Sequence, residues 1–224
     1  IERRRFVDTE RLRPPPLNPE RTTAFHKIPR EIAGYEIVRP LGAGSMATVY
    51  LVYRLRDEMR EYFALKVLRP RSDWALGQQD GIAWFLDEAQ MAARIKHPNI
   101  VEVVDYGIAD DSLPYIVMEY VEGHPLHRLM PDLVDFDYPA RTRLILQVAE
   151  ALRAIHEHGI CHRDVKPSNI MVSAELKVKV MDFGIAQIRG NPQATDGLLV
   201  GSPAYMAPEA FDSATVDHRA DLFS

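Results

Sequence analysis

At 224 residues the chain is long enough for one large domain or two smaller units, each with a buried core. Hydrophobic residues make up 46% and charged residues 26%, a globular balance that excludes wholesale disorder. Twenty-seven Lys and Arg against 32 Asp and Glu leave a net charge of -5, which argues against a nucleic-acid or membrane-surface binder. The single cysteine, Cys161, excludes an internal disulfide and fits a cytoplasmic location. No apolar run approaches the roughly 18 residues of a membrane span.

Residues 1–33 read as a tail or linker. Arg3, Arg4, Arg5, Arg11 and Arg13 are mixed with acids, and Pro14, Pro15 and Pro16 then favour an extended chain. From Gly34 the pattern changes. Tyr35 to Val38 predicts a strand, as do the second half of the run from Leu41 to Leu51 and the run from Tyr62 to Leu68. Apolar residues at Ile82, Phe85, Leu86, Ala89, Ala92, Ala93 and Ile95 predict a helix over 82–95, ended by His97-Pro98. Ile100 to Tyr106 and Tyr115 to Tyr120 predict two further strands. Beyond Gly123 the pattern is mainly helical, with an amphipathic stripe from Ala140 to His158 and short strands near Ile170–Val172 and Val178–Val180. The expected fold class is α+β and bilobal: a five-stranded antiparallel lobe with one helix, then a mostly helical lobe.

Three groups of residues suggest chemistry. Gly42 and Gly44 lie between two strands, where glycine lets the backbone approach a phosphate and present N–H groups to it. A strand, not a helix, follows, so this is no dinucleotide-binding fingerprint. Lys66 lies in a strand on the same side as Ala64 and Leu68, where a lysine needs a partner or an anion, and Glu88 on the following helix could supply one. The third group is the run from His162 to Asn169, followed by Asp182, Phe183 and Gly184. Its acids and asparagine can hold Mg²⁺ through hard oxygen ligands, and a further carboxylate can accept a hydroxyl proton. His156, His158, Cys161 and His162 form a dense His/Cys cluster, for which zinc is the lesser alternative.

These motifs, in this order, resemble those of the eukaryotic-like serine/threonine protein kinases, most closely the bacterial branch. The resemblance also takes in Glu119-Tyr120-Val121 as a hinge, Met118 at the gatekeeper position, and Ala207-Pro208-Glu209. It covers roughly residues 35–224 and implies a kinase domain over 34–224: a first lobe over 34–118, a hinge over 119–123, and a partial second lobe over 124–224. The chain stops fifteen residues after Glu209, so the second lobe is expected to be incomplete.

The resemblance also implies roles. The loop of Leu41, Gly42, Ala43, Gly44, Ser45, Met46, Ala47, Thr48 and Val49 would cover the phosphates of ATP. Lys66, held by Glu88, would contact the α- and β-phosphates. Asn169 and Asp182 would hold Mg²⁺, with Mn²⁺ as a substitute. Asp164 would orient a substrate hydroxyl, and Lys166 would neutralise the transferring phosphate. Ala64, Val49 and Met171 would sandwich adenine, with Glu119 and Val121 pairing its edge. The implied partners are proteins with Ser or Thr hydroxyls, without nucleic acid or membrane contact from this segment, and with self-association for autophosphorylation in trans. Thr195 is the expected regulatory phosphorylation site. Ala47 stands where a third glycine is usual, and Ser202 where threonine is usual. The alternative function is a nucleotide-binding scaffold without efficient catalysis.

Overall fold

The computed structural model describes residues 30–44, 47–68, 78–110, 113–182, 202–212 and 216–224; within its helices the side chains of residues 78–81, 84, 88, 211 and 212 lie outside that description. The described chain divides into two units, one running through Ala89 and over Val103–Tyr120, the other made of Gln90–Glu102 and Val121–Ser224.

The first unit is an antiparallel sheet. Its strands are β1 (Glu31–Ile32), β2 (Tyr35–Ala43), β3 (Ala47–Arg56), β4 (Met59–Leu68), β5 (Val103–Ala109) and β6 (Leu113–Glu119), in the spatial order β1-β2-β3-β4-β6-β5. Tight turns set the register of two hairpins. Ala33 and Gly34 both have positive φ between β1 and β2, and so do Asp57 and Glu58 between β3 and β4. Two successive positive φ values define the hairpin turn whose twist matches the flanking strands. Five strands were expected and six are present. The extra one is β1, because Ile32 pairs with Tyr35 and is buried in the core, so ordered structure starts before residue 34.

Strand alternation sorts the two faces of this sheet. Val52, Phe63, Leu65, Val67 and Val117 join Ile32, Tyr35 and Ala109 in one apolar cluster. Tyr35 meets Phe63 edge-on at 5.7 Å, and the Arg54 guanidinium lies over both rings. Gly42, Val49, Ala64, Lys66 and Met118 fall on the opposite face by register. Helix α1 (Gln78–Ala92) starts earlier and ends earlier than the apolar spacing suggests. After Ala92 the chain tightens into i→i+3 bonds, Arg94 N–H to Met91 O and Ile95 N–H to Ala92 O, ahead of the proline.

The second unit is built on α3 (Tyr138–Glu157), preceded by the short α2 (Leu126–Leu129). Asp137 caps α3 by accepting from Ala140 N–H at 2.8 Å. The helix buries Ala140, Leu144, Ala151, Leu152, Ala154 and Ile155. It ends at Gly159, whose φ of 71° lets Ile160 N–H reach back to Ile155 O at 3.3 Å. Three short strands follow one another in space: β7 (Gly123–Pro125), β8 (Ile170–Ser173) and β9 (Val178–Val180). The segment expected as a strand from Ile100 instead makes one parallel bridge to Val180, with Val101 N–H to Val180 O at 2.9 Å, and β5 begins only at Val103. Asn99 fixes this crossing through Gln147 Oε1 at 3.1 Å and Val178 O at 3.0 Å. Two short helices, α4 (Glu209–Asp212) and α5 (Arg219–Phe223), close the described chain. No helix among the described residues is long and apolar enough to cross a membrane.

Candidate active site

In the sheet unit the hairpin of β2 and β3 carries the glycine loop. Gly42 pairs with Val49 and Ala43 with Thr48, and Gly44 N–H closes the turn on Ala47 O at 2.9 Å. Ser45 and Met46 lie outside the described residues. Neither Gly42 nor Gly44 has a left-handed φ, and an added Cβ would meet nothing within 4 Å at Gly42 and only Ala47 O at 3.8 Å at Gly44. The described fold therefore does not itself demand glycine at either position, although glycine in a strand costs backbone entropy. Val49 pairs directly with Lys66, and Ala64 pairs with Met118, so these four side chains occupy one patch of one face. Lys66 is half-buried there. Leu41 ends in the same hairpin, and Glu119 closes β6 opposite Phe63. Glu88 lies in α1, but its side chain is outside the described residues, so its pairing with Lys66 is too.

The second unit holds Asp164, Lys166 and Asn169 in one short loop. Asp164 Oδ2 is shared by Lys166 Nζ at 2.6 Å and Asn169 Nδ2 at 2.9 Å. The other proton of that Asn169 amide goes to Asp164 O, also at 2.9 Å. With both amide protons spent on Asp164, the Asn169 amide oxygen is left as an acceptor, approached among the described residues only by Ser168 Oγ at 3.5 Å. A neutral oxygen beside a carboxylate suits a hard divalent cation such as Mg²⁺. Asp182 stands near it in the chain's path, because the preceding Met181 N–H donates to Asn169 O at 2.9 Å. Asp182 has φ 54°, an uncommon conformation for a non-glycine residue. Asp164 Oδ1 is buried, and no donor among the described residues reaches it.

The loop is held from below by a residue that the sequence motifs pass over. Asp221, in the first turn of α5, is 2% exposed. Its two oxygens accept His162 N–H at 2.8 Å and Arg163 N–H at 2.7 Å, and His156 Nε2 meets the same carboxylate at 2.8 Å. These bonds offset the left-handed φ of 62° at Arg163, which swings the chain into Asp164. His162 is wholly buried, and burial pushes its imidazole pKa down, against the pull of Asp221 and other nearby acids. His158 Nδ1 meets Ala154 O at 2.8 Å. Two of the four His/Cys residues considered for zinc thus turn to protein partners of α3 and α5. A buried acid at the start of a helix is the signal that singles out Asp221, and it emerges only once its burial is known.

Lys166 Nζ also donates to Ser202 Oγ at 2.8 Å, which ties the loop to the Pro203–Tyr205 turn. Met171 lies in β8 opposite Pro125 of β7. Val121 lies two residues before Gly123, which pairs with Ser173 of β8. A Cβ at Gly123 would fall 2.2 Å from Val172 O and 2.8 Å from Val172 C, so only glycine lets these backbones meet. Phe183, Gly184 and Thr195 lie outside the described residues.

Residues 35–224 match the family described as Protein kinase domain. The chain is similar to serine/threonine-protein kinase PknB of Mycolicibacterium smegmatis, with 42% identity over 200 residues, covering 85% of this chain and 31% of that protein. It is 41% identical to PknB of Mycobacterium tuberculosis over 213 residues, covering 91% of this chain and 32% of that protein. Similarity extends to serine/threonine-protein kinase pkn3 of Myxococcus xanthus, at 36% identity over 199 residues, 85% of this chain and 36% of that protein. The chain spans about a third of the length of these curated relatives.

Proposed function

We propose, from the premise that this chain belongs to the protein kinase domain family, that it transfers the γ-phosphate of ATP to Ser and Thr hydroxyls of proteins. The observation that carries this reading is the sharing of Asp164 Oδ2 between Lys166 and Asn169, with no described donor on Oδ1. That arrangement fixes the carboxylate, whose buried Oδ1 keeps its acceptor capacity uncommitted among the described residues. As the substrate oxygen forms its bond to the γ-phosphorus, the bond to the β–γ bridging oxygen breaks and ADP leaves. Asp164 takes the hydroxyl proton, and the Lys166 ammonium faces the charge on the transferring group. Little covalent help is needed, so alignment and charge neutralisation supply most of the rate.

Asn169 Oδ1 and the Asp182 carboxylate would hold Mg²⁺, which when bound offsets phosphate charge. On the sheet, Lys66 would meet the α- and β-phosphates, with Glu88 as its partner. The backbone of Leu41 to Val49 would cover the phosphate chain, for which the sterically undemanded glycines are suited. Val49, Ala64 and Met171 would take the adenine faces, and the backbone at Glu119 and Val121 its edge. Further parts of the proposal are autophosphorylation between copies and work on the cytoplasmic side, where ATP is available. Incubation with Mg²⁺, radiolabelled ATP and casein tests the reading: label on serine or threonine in the parent, and loss of that label with Asp164→Asn, support it. Equal labelling by the two proteins would refute it.

A further inference from the structure

The catalytic loop and the turn at 202–205 belong to a closed circuit of hydrogen bonds. Asp221 holds His162 N–H and Arg163 N–H. The chain then passes to Asp164, which binds Lys166, and Lys166 binds Ser202 Oγ at 2.8 Å. Ser202 O accepts Tyr205 N–H at 2.9 Å. Tyr205 O in turn accepts from Ser224 Oγ at 2.6 Å. Ser224 stands three residues after Asp221, at the end of the same helix α5. A single helical turn thus grips the catalytic loop at one end and the 202–205 turn at the other.

We infer that Ser224 is a positioning residue that sets the 202–205 turn against Lys166, and so governs how a protein substrate is presented to Asp164. This rests on the kinase reading of Asp164 and Lys166. The Ser224 hydroxyl has one proton, and its contact with Tyr205 O is shorter than its 3.2 Å contact with Ala220 O. Without it, the bond between Ser202 and Lys166 is, among the described residues, the remaining side-chain tie from the turn to this circuit. The turn's other bonds, Tyr205 N–H to Ser202 O and Met206 N–H to Pro203 O, are internal and fix its shape but not its place. The residues of the circuit that touch substrate or phosphate are Asp164 and Lys166. Ser224 acts through the backbone of Tyr205 alone.

The test is steady-state transfer to casein by the intact protein. Ser224→Ala is expected to raise KM for casein about three- to ten-fold, the range one lost hydrogen bond carries, with KM for ATP within two-fold of the parent. Ser224→Thr, which keeps the hydroxyl, restores the parent's KM for casein. In a double-mutant cycle with Ser202→Ala the two losses are coupled, because both act on one turn. Amide exchange over residues 202–206, read by mass spectrometry, speeds up in Ser224→Ala. An unchanged KM for casein, an equal rise in both KM values, or strict additivity with Ser202→Ala would overturn the inference. If the parent transfers no phosphate, the kinase reading fails. The exchange rates over 202–206 then decide the circuit by themselves: acceleration in Ser224→Ala upholds Ser224 as the tether, and no change rejects it.

Discussion

Replacing Asp221 with alanine tests the support beneath the catalytic loop. The carboxylate is 2% exposed and accepts two backbone amides, at 2.8 and 2.7 Å, besides meeting His156. Alanine leaves both amides without this acceptor in a buried setting. Each orphaned buried donor costs about 1–3 kcal/mol, so the pair costs about 2–6 kcal/mol. In a domain of 150–250 residues, each kcal/mol moves the melting temperature by about 2–4 °C. A fall of about 4–24 °C follows, read by thermal denaturation and checked by urea unfolding. Asp221→Asn falls between parent and alanine, since its amide oxygen can still accept one of the two N–H groups. At a temperature where the variant stays folded, transfer falls at least ten-fold, because Arg163 is no longer held in the conformation that aims Asp164. Asp217, exposed nearby and paired with Arg219 at 2.9 Å, is the control; its alanine variant shifts the melt by about 2 °C at most. A melt for Asp221→Ala within 2 °C of the parent would refute this reasoning.

Gly123→Ala is expected to weaken ATP affinity at least ten-fold, because the new Cβ forces β7 off β8 and displaces Val121 relative to Met171; calorimetric titration with unchanged affinity would count against it. His162 makes stability depend on pH. Its folded pKa is lowered by burial, so its contribution is complete above the ordinary histidine value of about 6.5. Below that value the unfolded chain takes up a proton that the folded chain does not, and stability falls by up to about 1.4 kcal/mol per pH unit toward the lower folded value. Urea unfolding from pH 7.5 to 5 in the parent and in His162→Gln checks this, and a slope as steep in the variant would contradict it.

Much of the fold was legible because alternation and helical spacing are local properties. Strands β3, β4, β6, β8 and β9 and helix α3 follow from their own residues. Strand β1 was not legible, because two residues cannot show a period; Ile32 becomes a core residue only through its pairing with Tyr35. Strand β7 was missed for the same reason, and because its Gly123 reads as a breaker until Val172 is placed against it. The stretch from Ile100 has strand composition, yet Val180 takes up its backbone before β5 starts. At the candidate site, residue types were legible from spacing alone, since Asp164, Lys166 and Asn169 lie within six residues of one another. What joins them to Asp221, Ser202 and Ser224 was not legible. Those bonds span 19 to 59 positions, and no sequence period connects their ends.

In the proposed mechanism Asp164 is the group that receives a substrate hydroxyl. Its most direct test is the rate of phosphate transfer from radiolabelled Mg·ATP to casein by the parent and by Asp164→Asn, with nucleotide binding measured alongside. The predicted result is a loss of about 10²- to 10⁴-fold in transfer, with ATP affinity within a few-fold of the parent. Transfer by Asp164→Asn at the parent's rate would contradict the central claim.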